Sequence, residues 1–141
     1  MAMTNYQAAA YKQVRVKTAG PGQIVIMLYD ETIRQLKIAV ELLETGSKQL
    51  DKVNNAILKA RDIITELMVS LDMEQGGDFA QGMFSLYVWF NEQLLEANIQ
   101  KDPKPVQVVV NHLTEIREAW AQIAGKVDVK PQERPGVSIR G

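Results

Sequence analysis

The sequence predicts an all-α protein: an antiparallel up-down-up-down four-helix bundle with a mobile N-terminal segment. Three observations carry this reading. Gly and Pro cut the chain into four long pieces of similar length. In three of them the apolar residues step in alternating threes and fours, which marks one face of a helix. The connections are a few residues long, and short connections make sequential helices antiparallel neighbours.

The first helix is expected from Pro21 to Thr45. Proline suits the first helical position, where its missing N–H costs nothing. Gly20 precedes it as a cap and Gly46 follows as a left-handed stop. The second is expected from Ser47 to Met73, with Leu50, Val53, Ile57, Ala60, Ile64, Leu67 and Leu71 on one stripe. Gly76-Gly77 ends it. The third opens at Asp78, with Gln81 three residues on, as a capping box. Its stripe is Ala80, Met83, Tyr87, Phe90, Leu94 and Ala97. Asp102 and Pro103 read as cap and first residue of the fourth helix, whose stripe is Val106, Val109, Leu113, Ile116, Trp120 and Ile123. Gly125 marks its end. The expected organisation is a mobile N-terminal segment over 1–20, the bundle over 21–125 and an extended or disordered tail over 126–141, which holds Pro131, Pro135 and no periodicity.

The first helix differs from the rest. Val25, Leu28, Tyr29, Ile33, Leu36, Ala39, Val40 and Leu43 make a broad core-facing arc, while Ile24, Met27, Ile38 and Leu42 fall nearly opposite. A helix that is apolar on two faces needs a second cover. Other apolar residues also lie off the main stripes: Leu58, Met68 and Val69 on the second helix, Phe84, Val88, Trp89 and Leu95 on the third, and Val108 on the fourth. The spacing of Phe84, Val88 and Leu95 makes a second stripe on the third helix. Such a stripe suits a partner helix lying in a groove between two bundle helices.

Composition excludes several classes. Sixteen Lys and Arg stand against 17 acids, without the basic excess of a general nucleic-acid binder. The 141 residues include no cysteine, so neither disulfides nor thiolate chemistry is available. The longest apolar run, Ile24–Tyr29, is too short to cross a bilayer, so direct membrane insertion is not expected. Met1 to Gln13 lacks the apolar stretch of a secretory signal, and a cytoplasmic location is expected. The single histidine, His112, reads as a surface or boundary side chain. Carboxylate-bridged metal bundles use Glu-x-x-His, and no such spacing occurs; Glu41/Glu44 and Glu115/Glu118 read as solvated charge. No enzymatic activity, cofactor or metal is therefore expected.

Tyr11-Lys-Gln-Val14, Thr18-Ala-Gly-Pro21 and Ile26-Met-Leu-Tyr-Asp30 resemble the N-terminal half of the flagellar secretion chaperone family FliS. Lys59-Ala-Arg-Asp-Ile-Ile64, Glu66-Leu67 and Ser70-Leu-Asp72 are similar to its second helix. Gly76-Gly-Asp-Phe-Ala80, Leu86-Tyr87, Leu95-Glu-Ala-Asn98 and Glu118-Ala-Trp120 continue the likeness, which spans about residues 6–124. The resemblance implies a four-helix bundle that binds the C-terminal segment of flagellin in the cytoplasm. It implies that the chaperone prevents premature polymerisation and delivers its client to the flagellar type III export gate, a further expected partner. It also implies an N-terminal segment that folds over part of the groove, with Tyr11 in that cover. The expected partner-binding residues are Tyr11, Val14, Ile24, Met27, Leu58, Met68, Phe84, Val88, Trp89, Leu95 and Val108. Three positions depart from the family pattern: Gly20 replaces a serine, Ala8 a larger apolar residue, and Val88 an acid. A structural or oligomerising bundle without a flagellin client is the alternative; it explains the stripes but not the motif order.

Overall fold

The computed structural model describes residues 21–127. They form four helices: α1 (Pro21–Glu44), α2 (Leu50–Val69), α3 (Gly77–Gln100) and α4 (Pro103–Val127). The fold is all-α, a four-helix bundle as the sequence predicts, and the described residues contain no strand. The expected cover segment over 1–20 and the tail beyond Val127 lie outside the described residues. The fourth helix runs two residues past Gly125, its expected end.

The helix ends show why the chain turns where it does. After α1, Gly46 takes a left-handed conformation with φ 68°. The Ser47 N–H then bonds to the Leu42 carbonyl at 3.0 Å and the Gly46 N–H to that of Leu43 at 3.2 Å. This satisfies carbonyls that the helix end leaves open. The second helix is shorter than expected, Leu50–Val69 rather than 47–73. Ser47 sits in the preceding turn, its hydroxyl accepting from the Gln49 N–H. At the other end the Ser70 hydroxyl donates to the Leu67 carbonyl at 2.8 Å, a local bond that competes with helix propagation.

The expected capping box at Asp78 does not form. The third helix starts at Gly77, with Gly76 at the cap and no side-chain cap bond. Backbone bonds take over: Gly76 N–H to the Asp72 carbonyl at 2.8 Å and Ala80 N–H to the Gly76 carbonyl at 3.3 Å. The Asp102 cap does form, its carboxylate accepting from the Lys104 N–H at 3.0 Å. Just before it Lys101 closes α3 in a left-handed conformation, φ 53°, a place usually given to glycine.

The chain divides into two compact units. One combines the start of α1, up to Asp30, with the end of α4, from Thr114; the other is Glu31–Leu113. The larger unit holds α2, α3 and the adjoining parts of α1 and α4. Its core is the set of stripes: Leu36 and Ala39; Val53, Ile57, Ala60 and Ile64; Phe90, Leu94 and Ala97; Val106, Val109 and Leu113, all fully buried. Burying each large aliphatic or aromatic side chain contributes about 1.5–3 kcal/mol. Phe90→Ala, which would leave a cavity, should cost about 3–5 kcal/mol. The second and third helices run antiparallel, because Asn98 meets Asn54 and Asn91 meets Thr65.

The stripes need amendment at their ends. Leu50 is exposed because it is the first residue of its helix, and Leu71 lies beyond the end of α2. Met83 is half-buried. Ala56 and Val110 join the core, as do the polar Thr32 and Gln35. Gln35 is satisfied by donating to the Glu31 carboxylate at 2.9 Å.

In the smaller unit, Ile26 and Tyr29 are buried. Ile26 lies outside the arc the sequence analysis assigned to the core. Ile116 and Trp120 are half-buried and Ile123 is 51% exposed, so the α4 stripe loosens toward its C-terminal end. Asp30 and Arg117 pair through two bonds, 2.8 and 3.2 Å.

Candidate functional site

Helical spacing and two cross-helix hydrogen bonds define a surface on the α2–α3 hairpin. The Asn98 amide donates to the Asn54 side-chain oxygen at 2.8 Å. The Asn91 amide donates to the Thr65 hydroxyl at 3.3 Å and approaches the Met68 sulfur at 3.9 Å. These bonds fix which faces of the two helices meet. Residues three, four or seven apart share a helix face. Leu58 and Met68 therefore lie on the α2 stripe of Asn54 and Thr65, and Phe84, Val88 and Leu95 on the α3 stripe of Asn91 and Asn98.

Five of the eleven expected binding residues are thus brought together along one edge of the hairpin: Leu58, Met68, Phe84, Val88 and Leu95. Phe84 and Leu95 are exposed, and the other three are half-buried. Antiparallel pairing sets Leu58 opposite Leu95 and Met68 opposite Val88 and Phe84. The chemistry available is apolar contact, over a row of side-chain amides. Two buried polar atoms on this edge, Arg61 Nε and Asn91 Oδ1, find no hydrogen-bond partner among the described residues. An orphaned buried polar atom costs about 1–3 kcal/mol.

The remaining expected residues fall elsewhere. Trp89 is half-buried between α3 and α4, with ring centroids 5.8 Å from Phe90 and 5.6 Å from His112, the latter edge-on. Val108 is exposed on α4, four residues before His112 and on the same face. His112 is exposed, as its lone occurrence suggested. Ile24 and Met27 are half-buried in the smaller unit. Tyr11 and Val14 lie outside the described residues.

Sequence reasoning missed the amide ladder. Asn54, Thr65, Asn91 and Asn98 stand at flanking positions of the two core stripes, and that polar periodicity was the available signal. It also left Asp30 and Asp72 unplaced. Both are exposed. Asp30 holds Arg117, raising the affinity of that guanidinium for its proton through their hydrogen bond. The Asp72 carboxylate accepts from the N–H groups of Glu74 and Gln75 at 3.2 and 3.0 Å. At the start of the larger unit the Arg34 guanidinium, hydrogen-bonded to Glu31, holds that carboxyl below the usual glutamate value; bonds from Gln35 and the charge of Lys59 act the same way, and partial burial opposes them.

Among the described residues no group of three His, Cys, Asp or Glu could hold a metal ion, and no helix is long and apolar enough to cross a membrane. The family model described as flagellar protein FliS matches residues 2–127. A flagellar secretion chaperone FliS of Salmonella typhimurium is 36% identical over 122 residues, covering 83% of this chain and 89% of the relative. That of Vibrio cholerae is 35% identical over 118 residues, 81% and 85%. That of Bacillus subtilis is 30% identical over 113 residues, 80% and 82%.

Proposed function

This chain belongs to the flagellar secretion chaperone family FliS, a non-enzymatic family, and from that membership we propose that it is a cytoplasmic export chaperone for flagellin. The client is the C-terminal segment of flagellin. Holding that segment prevents premature polymerisation, and the loaded complex delivers it to the flagellar type III export gate. The observation that carries the reading is the apolar edge of the α2–α3 hairpin, with Leu58, Met68, Phe84, Val88 and Leu95 in one row. An amphipathic helix laid along this edge would bury its apolar face against them, in helix-in-groove fashion.

Several physical features support the assignment. The row sits on the two helices tied together by the Asn98–Asn54 and Asn91–Thr65 bonds, so it is preorganised and costs little to order. Val88 stands where the family pattern often has an acid, which makes the edge more apolar. Ile24 and Met27 and the segment carrying Tyr11 and Val14 are proposed as further contacts, with Tyr11 in a displaceable cover. Trp89 and Val108, on the α3–α4 side, are proposed as a separate contact.

Calorimetry with the flagellin C-terminal segment tests the reading. Binding should show a negative heat-capacity change, the marker of apolar burial. Val88→Asp and Leu58→Glu should each weaken binding while leaving the melting temperature within a few degrees. Normal binding by both variants would place the groove on another face. Equal affinity for flagellin lacking its C-terminal segment would remove the client assignment.

A further inference from the structure

The turn that joins α2 to α3 has properties the client groove does not use. Val69 is 80% exposed, Phe79 62% and Met73 41%. All three lie within 11 residues of chain, and the backbone between them is folded tightly. Bonds run from Ser70 to Glu66, from Leu71 to Met68, from Gly76 to Asp72 and from Ala80 to Gly76. The Asp72 carboxylate adds two more, to Glu74 and Gln75. Large apolar side chains are thus presented on an ordered turn, where docking need not first order the backbone.

Along the hairpin itself the charge beside them has one sign. Between Arg61 and Lys101 the chain carries seven acids and no Lys or Arg. Asp72, Glu74 and Asp78 are interleaved with the apolar side chains and are exposed. The opposite end of the hairpin differs: the Asn98–Asn54 bond sets the start of α2 beside the end of α3, and Lys48, Lys52, Lys101 and Lys104 stand there among acids. The hairpin is therefore electrically polarised along its length. Negative potential at this turn repels phosphate-bearing surfaces, so neither nucleic acid nor an anionic membrane fits it. It attracts and orients a positively charged protein segment.

We propose that the α2–α3 turn is a second docking surface, separate from the client groove, for a basic protein segment in which Lys or Arg flanks large apolar side chains. The apolar residues of the partner pack on Val69, Met73 and Phe79, and its cations meet Glu74 and Asp78. The site would let the chaperone hold another protein while flagellin occupies the groove.

The test uses the full chain and two synthetic helical peptides of equal length, one built of Lys and Leu and one of Glu and Leu. The Lys peptide should bind at least ~10-fold more tightly, and its affinity should fall as salt rises. Phe79→Ser with Val69→Ser should weaken it ~10-fold or more, as loss of a hot spot does. Because these side chains are exposed, the melting temperature should hold. Glu74→Lys with Asp78→Lys should abolish binding and provides a decision that does not depend on the apolar variants folding. Val88→Asp should leave the peptide unaffected, and Phe79→Ser should leave flagellin binding unaffected, so this proposal and the groove assignment fail separately. Four outcomes overturn it: indifference to Phe79→Ser; loss in Val88→Asp, which puts the peptide in the groove; equal loss in Glu92→Lys with Glu96→Lys, which means diffuse electrostatics; or self-association that Phe79→Ser abolishes, which makes a second copy the occupant.

Discussion

Two glycines six residues apart should respond to the same substitution with opposite signs. A Cβ at Gly76 would lie 2.5 Å from the Ala80 Cβ and 2.6 Å from the Asp72 carbonyl oxygen. Real Cβ atoms do not approach so closely, and both obstacles are held by the backbone bonds of the turn. Gly76 has φ −73°, so alanine could adopt the conformation; the obstacle is space alone. Overpacking of this kind costs about 1–3 kcal/mol. Alanine recovers about 0.4–1 kcal/mol by restricting the unfolded chain, so Gly76→Ala should destabilise by about 1–2 kcal/mol in all. At Gly82, inside α3, a Cβ meets nothing within 4 Å. There Gly82→Ala should stabilise by about 1 kcal/mol, the helix-propensity difference. Urea unfolding would show the first midpoint falling and the second rising, with unchanged slopes. Each kcal/mol should move the thermal midpoint by about 4 °C. Midpoints that move in the same direction would refute the account of the turn as sterically closed around Gly76.

Lys101→Gly should stabilise by about 1 kcal/mol, because glycine adopts the left-handed conformation without the Cβ penalty; the contact of the lysine with Asn98 is lost, and a lower melting temperature would show that it mattered more. Asp30→Asn should cost under about 1 kcal/mol, since the pair with Arg117 is partly exposed, and the loss should shrink at high salt. Glu31 has a depressed folded-state pKa, so its contribution is present above the ordinary value of 4.5 and is lost as pH falls through the lower folded value. Arg34→Gln should therefore flatten the acid limb of the stability profile; an unchanged limb would show that Arg34 does not hold the carboxylate. Deleting residues 1–17 should leave the bundle folded. Docking Tyr11 would supply roughly 3 kcal/mol from about 100–150 Å² of apolar area, and ordering about eight residues costs that much or more, so a client should displace the cover. Hydrogen exchange should show amides near Tyr11 losing protection when flagellin binds, and no protection in the free protein would end the idea of a cover.

The middles of the helices were readable from the sequence and their ends less so. Val53 to Leu67 and Tyr87 to Ala97 are core because a stripe of threes and fours has one way to be buried. At Leu50 and Ile123 the same spacing continues, yet both are exposed. Periodicity reports which face a residue occupies, not whether a neighbour still stands opposite it. The Asp78 cap failed for a related reason: Asp at that position satisfies the pattern, but the turn from Asp72 already supplies the bonds through its backbone. Thr32 and Gln35 are buried because their neighbours cover them, and polarity alone cannot reveal that. The hairpin edge was half legible. The apolar row of Phe84, Val88 and Leu95 could be seen in the spacing, while its setting beside Leu58 and Met68 depends on which asparagines cross between helices. Trp89 was expected among the partner-binding residues without belonging to that row, and its ring packs against His112 of α4.

Each of the two compact units carries one of the chain's two tryptophans: Trp120 lies in the smaller, Trp89 in the larger. Their emission is therefore a pair of built-in local probes. With Trp89→Phe the signal comes only from the α1-start and α4-end unit, and with Trp120→Phe only from Glu31–Leu113. Denaturant curves that coincide would mean the units melt as one cooperative body; curves that separate would mean one can open while the other stays folded.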